Sequence, residues 1–284
     1  MAVKIQHGYA PAKINWFLRV LHKRKDGYHD IDTVMQTVSL FDELTISLTD
    51  AQDSMEVVDE WGNTIEGIPT DKSNLVFKAA SALGVSGIHV RLVKRIPSCA
   101  GMGGGSSDAA CALKLLNSLF ELGHSDKELE KIALTIGSDI PFFIKGGIQR
   151  IVKKGEVECE YSPKEYELVI IKPVGGISTA EAYRYIDSIP RNSTVDCEHF
   201  MEEYNEGRYN FAYAINEFEL PALAMNNEID GAMEKLKESN ASHVCLAGSG
   251  SCVFGVFKDC ELADSVYTEL KNNGYEVYRA KTML

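Results

Sequence analysis

An α+β fold is what this sequence predicts, and three observations carry that reading. Strand and helix patterns follow one another in mixed order and not as a regular βαβ repeat. One unit, a strand, then a glycine loop, then a helix, stands out between residues 88 and 120. A further strand pattern at Leu168-Val169-Ile170-Ile171, ahead of Pro173, opens a second part, so the expected division is residues 1–160 and 161–284. At 284 residues, 45% hydrophobic and 25% charged, the chain is long enough for one large domain or two lobes.

From Lys4 to Leu48 the pattern is largely β, with strand segments at Ala12 to Leu21 and Thr33 to Ser39 and clear alternation from Leu44 to Leu48. Residues 49–72, carrying Asp, Gly, Asn and Pro, read as turns around one or two short strands. Ser73 or Asn74 can cap a helix that runs to Leu83 before Gly84. The strand from Ile88 to Lys94 then leads into the glycine loop. Beyond the loop Ala109, Ala110, Leu113, Leu116 and Phe120 recur at helical spacing, with Ser106, Ser107 or Asp108 as the N-cap. Ser125 and Glu128 form a capping-box pattern that opens a helix to about Ile136. After Gly147 the pattern is β again, and helical patterns dominate from Ala180 to Ser239. Strands return at Val244 to Leu246 and Cys252 to Phe257, before a helix from Cys260 to Asn272 and a last strand, Tyr275 to Ala280. There is no internal repeat, low-complexity tract or obvious linker.

A net charge of −12 argues against a nucleic-acid partner, whose phosphates would call for clustered Lys and Arg. The basic run His22-Lys23-Arg24-Lys25, ahead of the turn signal Asp26-Gly27, reads equally as a solvated hairpin tip or as an attractor for an anionic ligand. The cysteines number seven and lack C-x-x-C spacing, which fits free thiols in a reducing cytoplasm better than a disulfide frame or a zinc site. No run approaches the roughly 20 apolar residues of a membrane helix, and Met1 to Gln6 has no apolar signal core. The sequence leaves the oligomeric state open.

The loop itself reads Pro97-Ser98-Cys99-Ala100-Gly101-Met102-Gly103-Gly104-Gly105-Ser106-Ser107. Glycines let backbone approach an anion, and a helix start offers unpaired N–H groups and the positive end of the helix dipole, so this order suits a phosphate chain. Two better-known loops do not fit. Gly105-Ser106-Ser107 lacks the lysine of a Walker loop, and a G-x-G-x-x-G starting at Gly101 would need glycine at Ser106. Neither this stretch nor Gly248-Ser249-Gly250-Ser251 supplies the G-x-S-x-G elbow of a serine hydrolase.

Chemistry beside a bound phosphate would also need a group that can hold or move a proton, and positive charge where negative charge develops. Asp139 lies between Gly137-Ser138 and the apolar run Ile140-Pro141-Phe142-Phe143, where a carboxylate is costly unless paired or functional. Lys13, in Ala12-Lys13-Ile14, is a candidate partner that could hold the carboxylate ionised. The plainer readings are a helix cap for Asp139 and an edge-strand lysine for Lys13. Tyr28-His29 could stack on and hydrogen-bond a nucleobase, or could simply begin a strand. Gly248, Ser249 and Gly250 could offer backbone N–H groups to an anion, or form a plain turn.

The glycine loop resembles the second motif of the GHMP kinases, in which it wraps the nucleotide phosphates. Ala10-Pro11-Ala12-Lys13-Ile14-Asn15 resembles the first motif of that superfamily and Ala247-Gly248-Ser249-Gly250-Ser251-Cys252 the third. Lys13-Ile14-Asn15, Asp26-Gly27-Tyr28-His29 and Gly137-Ser138-Asp139-Ile140-Pro141-Phe142 together are similar to one branch of it. That branch phosphorylates the 2-hydroxyl of 4-diphosphocytidyl-2-C-methyl-D-erythritol in isoprenoid precursor synthesis. The likeness covers nearly the whole chain.

The resemblance implies two lobes, the first with a mixed sheet and the glycine-loop helix, the second with an antiparallel sheet and helices. It implies ATP and Mg²⁺ as cofactors, with Pro97 through Ser107 holding ATP, and catalytic roles for Lys13 and Asp139. It makes Asn15, Tyr28, His29, Thr179, Tyr183, Gly248, Ser249 and Gly250 substrate-binding, with Tyr28-His29 reading cytosine and Tyr183 supplying a second ring on the opposite face. The metal ligand is left open between Ser106, Ser107 and neither. Met35 departs from the branch, which has an aromatic residue before Gln36, although methionine also packs on rings. Phosphorylation of homoserine or mevalonate is the alternative within the superfamily. A non-catalytic ligand sensor is the alternative outside it, and a sensor would be expected to lose Lys13 or Asp139.

Overall fold

Alternating side chains turn residues 5–48 into one long hairpin, in which β1 (Ile5–Lys23) runs antiparallel to β2 (His29–Leu48). The computed structural model describes residues 4–190 and 195–284; Met1 to Val3 of the amino terminus and residues 191–194 within the expected helical stretch lie outside the described residues. The two predicted strand segments are the centres of these longer strands. On its other edge β2 pairs through Glu43–Leu48 with β4 (Ile88–Val93) and through Ile31–Gln36 with β5 (Ile148–Lys153). One short strand, β3 (Ser54–Val58), joins β4 in parallel, and β6 (Glu156–Tyr161) joins β5 antiparallel, completing a mixed six-stranded sheet.

Four helices accompany this sheet: α1 (Leu75–Ala82), α2 (Gly104–Leu119), α3 (Asp126–Ile136) and α4 (Ile140–Lys145). The Asn74 side chain caps α1 at Val76 N, and the Ser125–Glu128 capping box opens α3 as expected. Helix α4 escapes sequence periodicity because six residues make less than two turns. The second sheet is antiparallel, in the order β10 (Val277–Lys281), β7 (Glu167–Ile171), β9 (Val253–Phe257), β8 (His243–Leu246). With it come α5 (Thr179–Ser188), α6 (Cys197–Asn205), α7 (Glu219–Met225), α8 (Glu228–Glu238) and α9 (Cys260–Asn272), so among the described residues the long helical stretch of the sequence divides into four separate helices.

Strand β1 belongs to both halves. Ala12, Ile14 and Trp16 enter a core shared with Phe200, Tyr204 and Phe254. Trp16 Nε1 donates to Gln36 Oε1 at 2.9 Å, and Tyr204 donates to the same oxygen at 3.2 Å. Gln36 Nε2 in turn donates to the carbonyls of Lys164 (3.0 Å) and Met283 (3.1 Å), so every polar group of this buried knot is satisfied. With alternate residues committed to that core, Lys13 and Asn15 emerge on the opposite face of the strand.

Candidate active site

The glycine loop is held from two sides. Lys13 N donates to Met102 O at 3.0 Å from β1, and Cys252 N donates to Ala100 O at 3.2 Å from the turn between β8 and β9. Gly101 has φ 75°, and a Cβ there would run into the Ala247 carbonyl, so only glycine allows the two loops to interlock. Gly103, at φ 73°, is the N-cap of α2 and no side chain caps the helix. The expected cap at Ser106, Ser107 or Asp108 is therefore corrected: the left-handed glycine starts the helix earlier. The first intrahelical bond in this turn is Ser107 N to Gly103 O at 2.9 Å, which leaves the N–H groups of Gly104, Gly105 and Ser106 ahead of it free for an anion.

A cavity of about 640 Å³ opens over this helix start, lined by residues 97–106 of the loop together with Lys13, Asn15 and Asp139. Ser107 does not line it, and its Oγ is buried without a partner. Gly248 and Ser249 also line the cavity, whereas Gly250 packs behind them towards Ile177 and Leu246 and does not. Ser249 Oγ and Thr179 Oγ1 lie 2.9 Å apart and share a hydrogen bond across the cavity wall.

Lys13 is 3% exposed, and its Nζ donates to Asn15 Oδ1 at 2.7 Å. The same oxygen accepts from Gly248 N at 3.0 Å, while Asn15 Nδ2 donates to Thr33 Oγ1 at 2.8 Å. Asn15 thus spends its amide on fixing Lys13 and the third glycine stretch. Burial lowers the Lys13 pKa, and the charge of Asp139 works against that shift. Lys13 and Asp139 thus interact through charge, while the hydrogen bond of Lys13 goes to Asn15. Asp139 stands at the N-cap position of α4 but makes no capping hydrogen bond, so its carboxylate is left to the cavity. Tyr183 is half-buried near it, and desolvation first, then the Asp139 charge, raises the phenol pKa.

A second cavity, of about 510 Å³, meets the first at Asp139, Thr179 and Tyr183. Tyr28 and His29 line it. Tyr28 is 52% exposed with Lys154 Nζ 3.7 Å from its ring centre, a cation–π contact. His29 is buried and stacks directly on Tyr183, with ring centres 4.8 Å apart and planes at 13°. That spacing holds no third ring between them, so Tyr183 backs His29 and does not form the far wall of a slot with it. Phe218, edge-on to Tyr183 at 4.9 Å, keeps it there. Met35 is buried and lines the first cavity, not this one.

Sequence reasoning missed the charged cluster under the loop. Lys94, at the end of β4, reaches Asp42 and also Asp108 Oδ2 (3.0 Å), and both Lys94 and Asp108 line the first cavity. Asp42 Oδ1 accepts from Arg95 N (2.6 Å) and Ile96 N (2.9 Å), which sets the corner from strand to loop. Burial opposes the Lys94 charge, but the two carboxylates outweigh it and raise its pKa. Burial, with Asp42 nearby, raises that of Asp108. The available signal was the same one that marked Lys13: charged residues within or beside apolar strands.

Known proteins are similar over nearly the whole chain. The description "GHMP kinases N terminal domain" matches residues 74–147 and "GHMP kinases C terminal" matches residues 198–276. The 4-diphosphocytidyl-2-C-methyl-D-erythritol kinase of Desulfitobacterium hafniense is 35% identical, over 97% of this chain and 95% of its own. The protein of that name from Thermodesulfovibrio yellowstonii is 40% identical over 87% of this chain and 88% of its own. The crystal structure of a 4-(cytidine 5'-diphospho)-2C-methyl-D-erythritol kinase superimposes with a TM-score of 0.78 at 28% identity, covering 97% of this chain and 98% of that one.

Proposed function

The chain belongs to the GHMP kinases, in the branch of the 4-diphosphocytidyl-2-C-methyl-D-erythritol kinases, and from that membership we propose how its two cavities serve the branch's reaction. The protein is a kinase that uses ATP to phosphorylate the 2-hydroxyl of 4-diphosphocytidyl-2-C-methyl-D-erythritol, a step in isoprenoid precursor synthesis. Homoserine or mevalonate as substrate is not favoured, since the relatives similar over nearly the full length carry the cytidyl activity. A sensor without catalysis is not favoured either, because Lys13 and Asp139 are both in place.

The observation that carries the reading is the meeting of the two cavities at Asp139. ATP phosphates lie against the open start of α2, and the cytidine lies in the second cavity beside Tyr28 and His29. The acceptor hydroxyl then arrives at the junction, where Asp139 orients or deprotonates it and Lys13 offsets charge on the phosphoryl group in flight. Mg²⁺ usually takes one or two protein oxygens besides phosphates and water. Ser106 and the uncapped Asp139 carboxylate fit that need, and the ion would neutralise phosphate charge there. The lobes divide near residue 160, at the end of β6, and the seven unpaired cysteines suit a reducing cytoplasm. ADP release measured with each of the three alcohols tests the reading: release with the cytidyl substrate alone supports it, and release with homoserine or mevalonate instead overturns it.

A further inference from the structure

The second cavity holds one contact that the reaction described so far does not use. Asp187, near the end of α5, has its Oδ1 2.7 Å from His29 Nε2 and its Oδ2 2.6 Å from Lys23 Nζ. One turn earlier on the same helix is Tyr183, whose ring stacks on the imidazole. Helix α5 therefore grips His29 by one face and by one edge. The remaining ring nitrogen, Nδ1, has no protein hydrogen bond among the described residues, and it is not among the buried polar atoms left without a partner. It is open to the cavity that His29 lines.

This arrangement decides what Nδ1 can do. The hydrogen bond from Lys23, and then that from His29, hold the Asp187 carboxyl below its usual range, so it is an acceptor only. The proton of the neutral imidazole must then sit on Nε2, and Nδ1 presents a lone pair. Cytosine offers an amino donor at the position where uracil offers a carbonyl oxygen. A lone pair facing that position bonds the first and leaves two acceptors opposed with the second.

We propose that Asp187 is a positioning residue for base choice: by fixing His29 with Nδ1 as an acceptor, it selects an amino-bearing pyrimidine over its keto counterpart. The inference rests on reading the second cavity as the cytidine subsite. Replacing Asp187 by Asn gives it a distinctive test, because Lys23 can only donate and so claims the amide oxygen. The amide NH₂ then faces Nε2 and drives the proton to Nδ1, which becomes a donor.

The experiment combines two readouts on the full chain. The tautomer of His29 is read by ¹H–¹⁵N correlation of histidine-labelled protein at pH 8, assigned by its loss in His29→Gln. In parallel, kcat and KM are measured with 4-diphosphocytidyl-2-C-methyl-D-erythritol and with its uridyl counterpart. The expected result is an Nε2–H ring in the wild type and an Nδ1–H ring in Asp187→Asn. The variant's cytidyl-over-uridyl preference in kcat/KM falls roughly 10- to 100-fold, through KM, with the KM for ATP unchanged. Asp187→Ala, which fixes neither tautomer, falls between. An Nδ1–H or doubly protonated ring in the wild type overturns the inference, as does an equal loss for both nucleosides. Absence of cytidyl turnover in the wild type would instead overturn the functional reading on which the inference rests.

Discussion

Two buried lysines face the same cavity and are held in opposite ways. Lys94 lies between Asp42 and Asp108, whose charges outweigh burial and raise its pKa. Lys13 has a neutral partner in Asn15 and only the field of Asp139, so burial prevails and its pKa is lowered. A cation matched by two carboxylates fastens the loop to its strand and has little charge left for a ligand. A cation short of counter-charge is stabilised when a phosphoryl group arrives, which is the condition for a catalytic lysine.

Removing Lys94 should have the largest effect. Lys94→Met leaves two buried carboxylates without a counter-ion, at a cost of about 3–5 kcal/mol, seen as a lower urea midpoint. Adding Asp108→Asn should recover part of that loss, and a Lys94→Met protein of wild-type stability would dissolve the contrast.

Lys13→Met should behave in the reverse sense. Turnover falls about 10²-fold, equivalent to ~2.7 kcal/mol, while the melting temperature holds or rises. The sign follows from the lowered pKa: the folded chain binds fewer protons than the unfolded one between that pKa and the ordinary 10.5. The penalty of burying the ammonium is therefore complete below this window and fades as pH rises through it.

His243 extends the comparison to a buried base with almost no counter-charge. Its Nε2 has no partner, and burial lowers its pKa from 6.5 to about 4. The unfolded chain takes the proton first on acidification, so the stability contribution is complete above pH 6.5 and is lost as pH falls towards 4. His243→Phe should flatten that limb of the stability curve by about 3 kcal/mol and leave turnover at pH 8 unaltered. An unchanged acid limb would remove His243 from the series.

Gly105 gives the smallest effect and tests where the anion lies. A Cβ there meets nothing nearer than Leu75 at 3.8 Å, so Gly105→Ala leaves the fold at least as stable. Calorimetry should find ATP binding weakened roughly tenfold, and unchanged affinity would move the phosphates away from this turn.

The parts of the site that were legible in the sequence are those whose chemistry is local. The glycine loop declares itself by composition, and Asp139 by standing against an apolar run. The N-cap was misplaced because side-chain capping favours Ser and Asp, and a run of three glycines does not reveal which one turns left-handed. The Lys94 cluster was missed because Asp42 lies 52 residues away and reaches it only through the β2–β4 pairing. His29 and Asp187, 158 residues apart, meet only once α5 packs across the hairpin. Periodicity reports an element's own faces and is silent on which distant face it will meet.

The central claim is that Asp139 acts on the acceptor hydroxyl at the junction of the two cavities. Asp139→Asn preserves size and removes both charge and base, so a single turnover of bound ATP and cytidyl substrate isolates the step. With both ligands binding as in the wild type, ADP formation is expected to slow by about 10²-fold or more. Formation near the wild-type rate would contradict the claim and leave phosphoryl transfer to clamping and electrostatics alone.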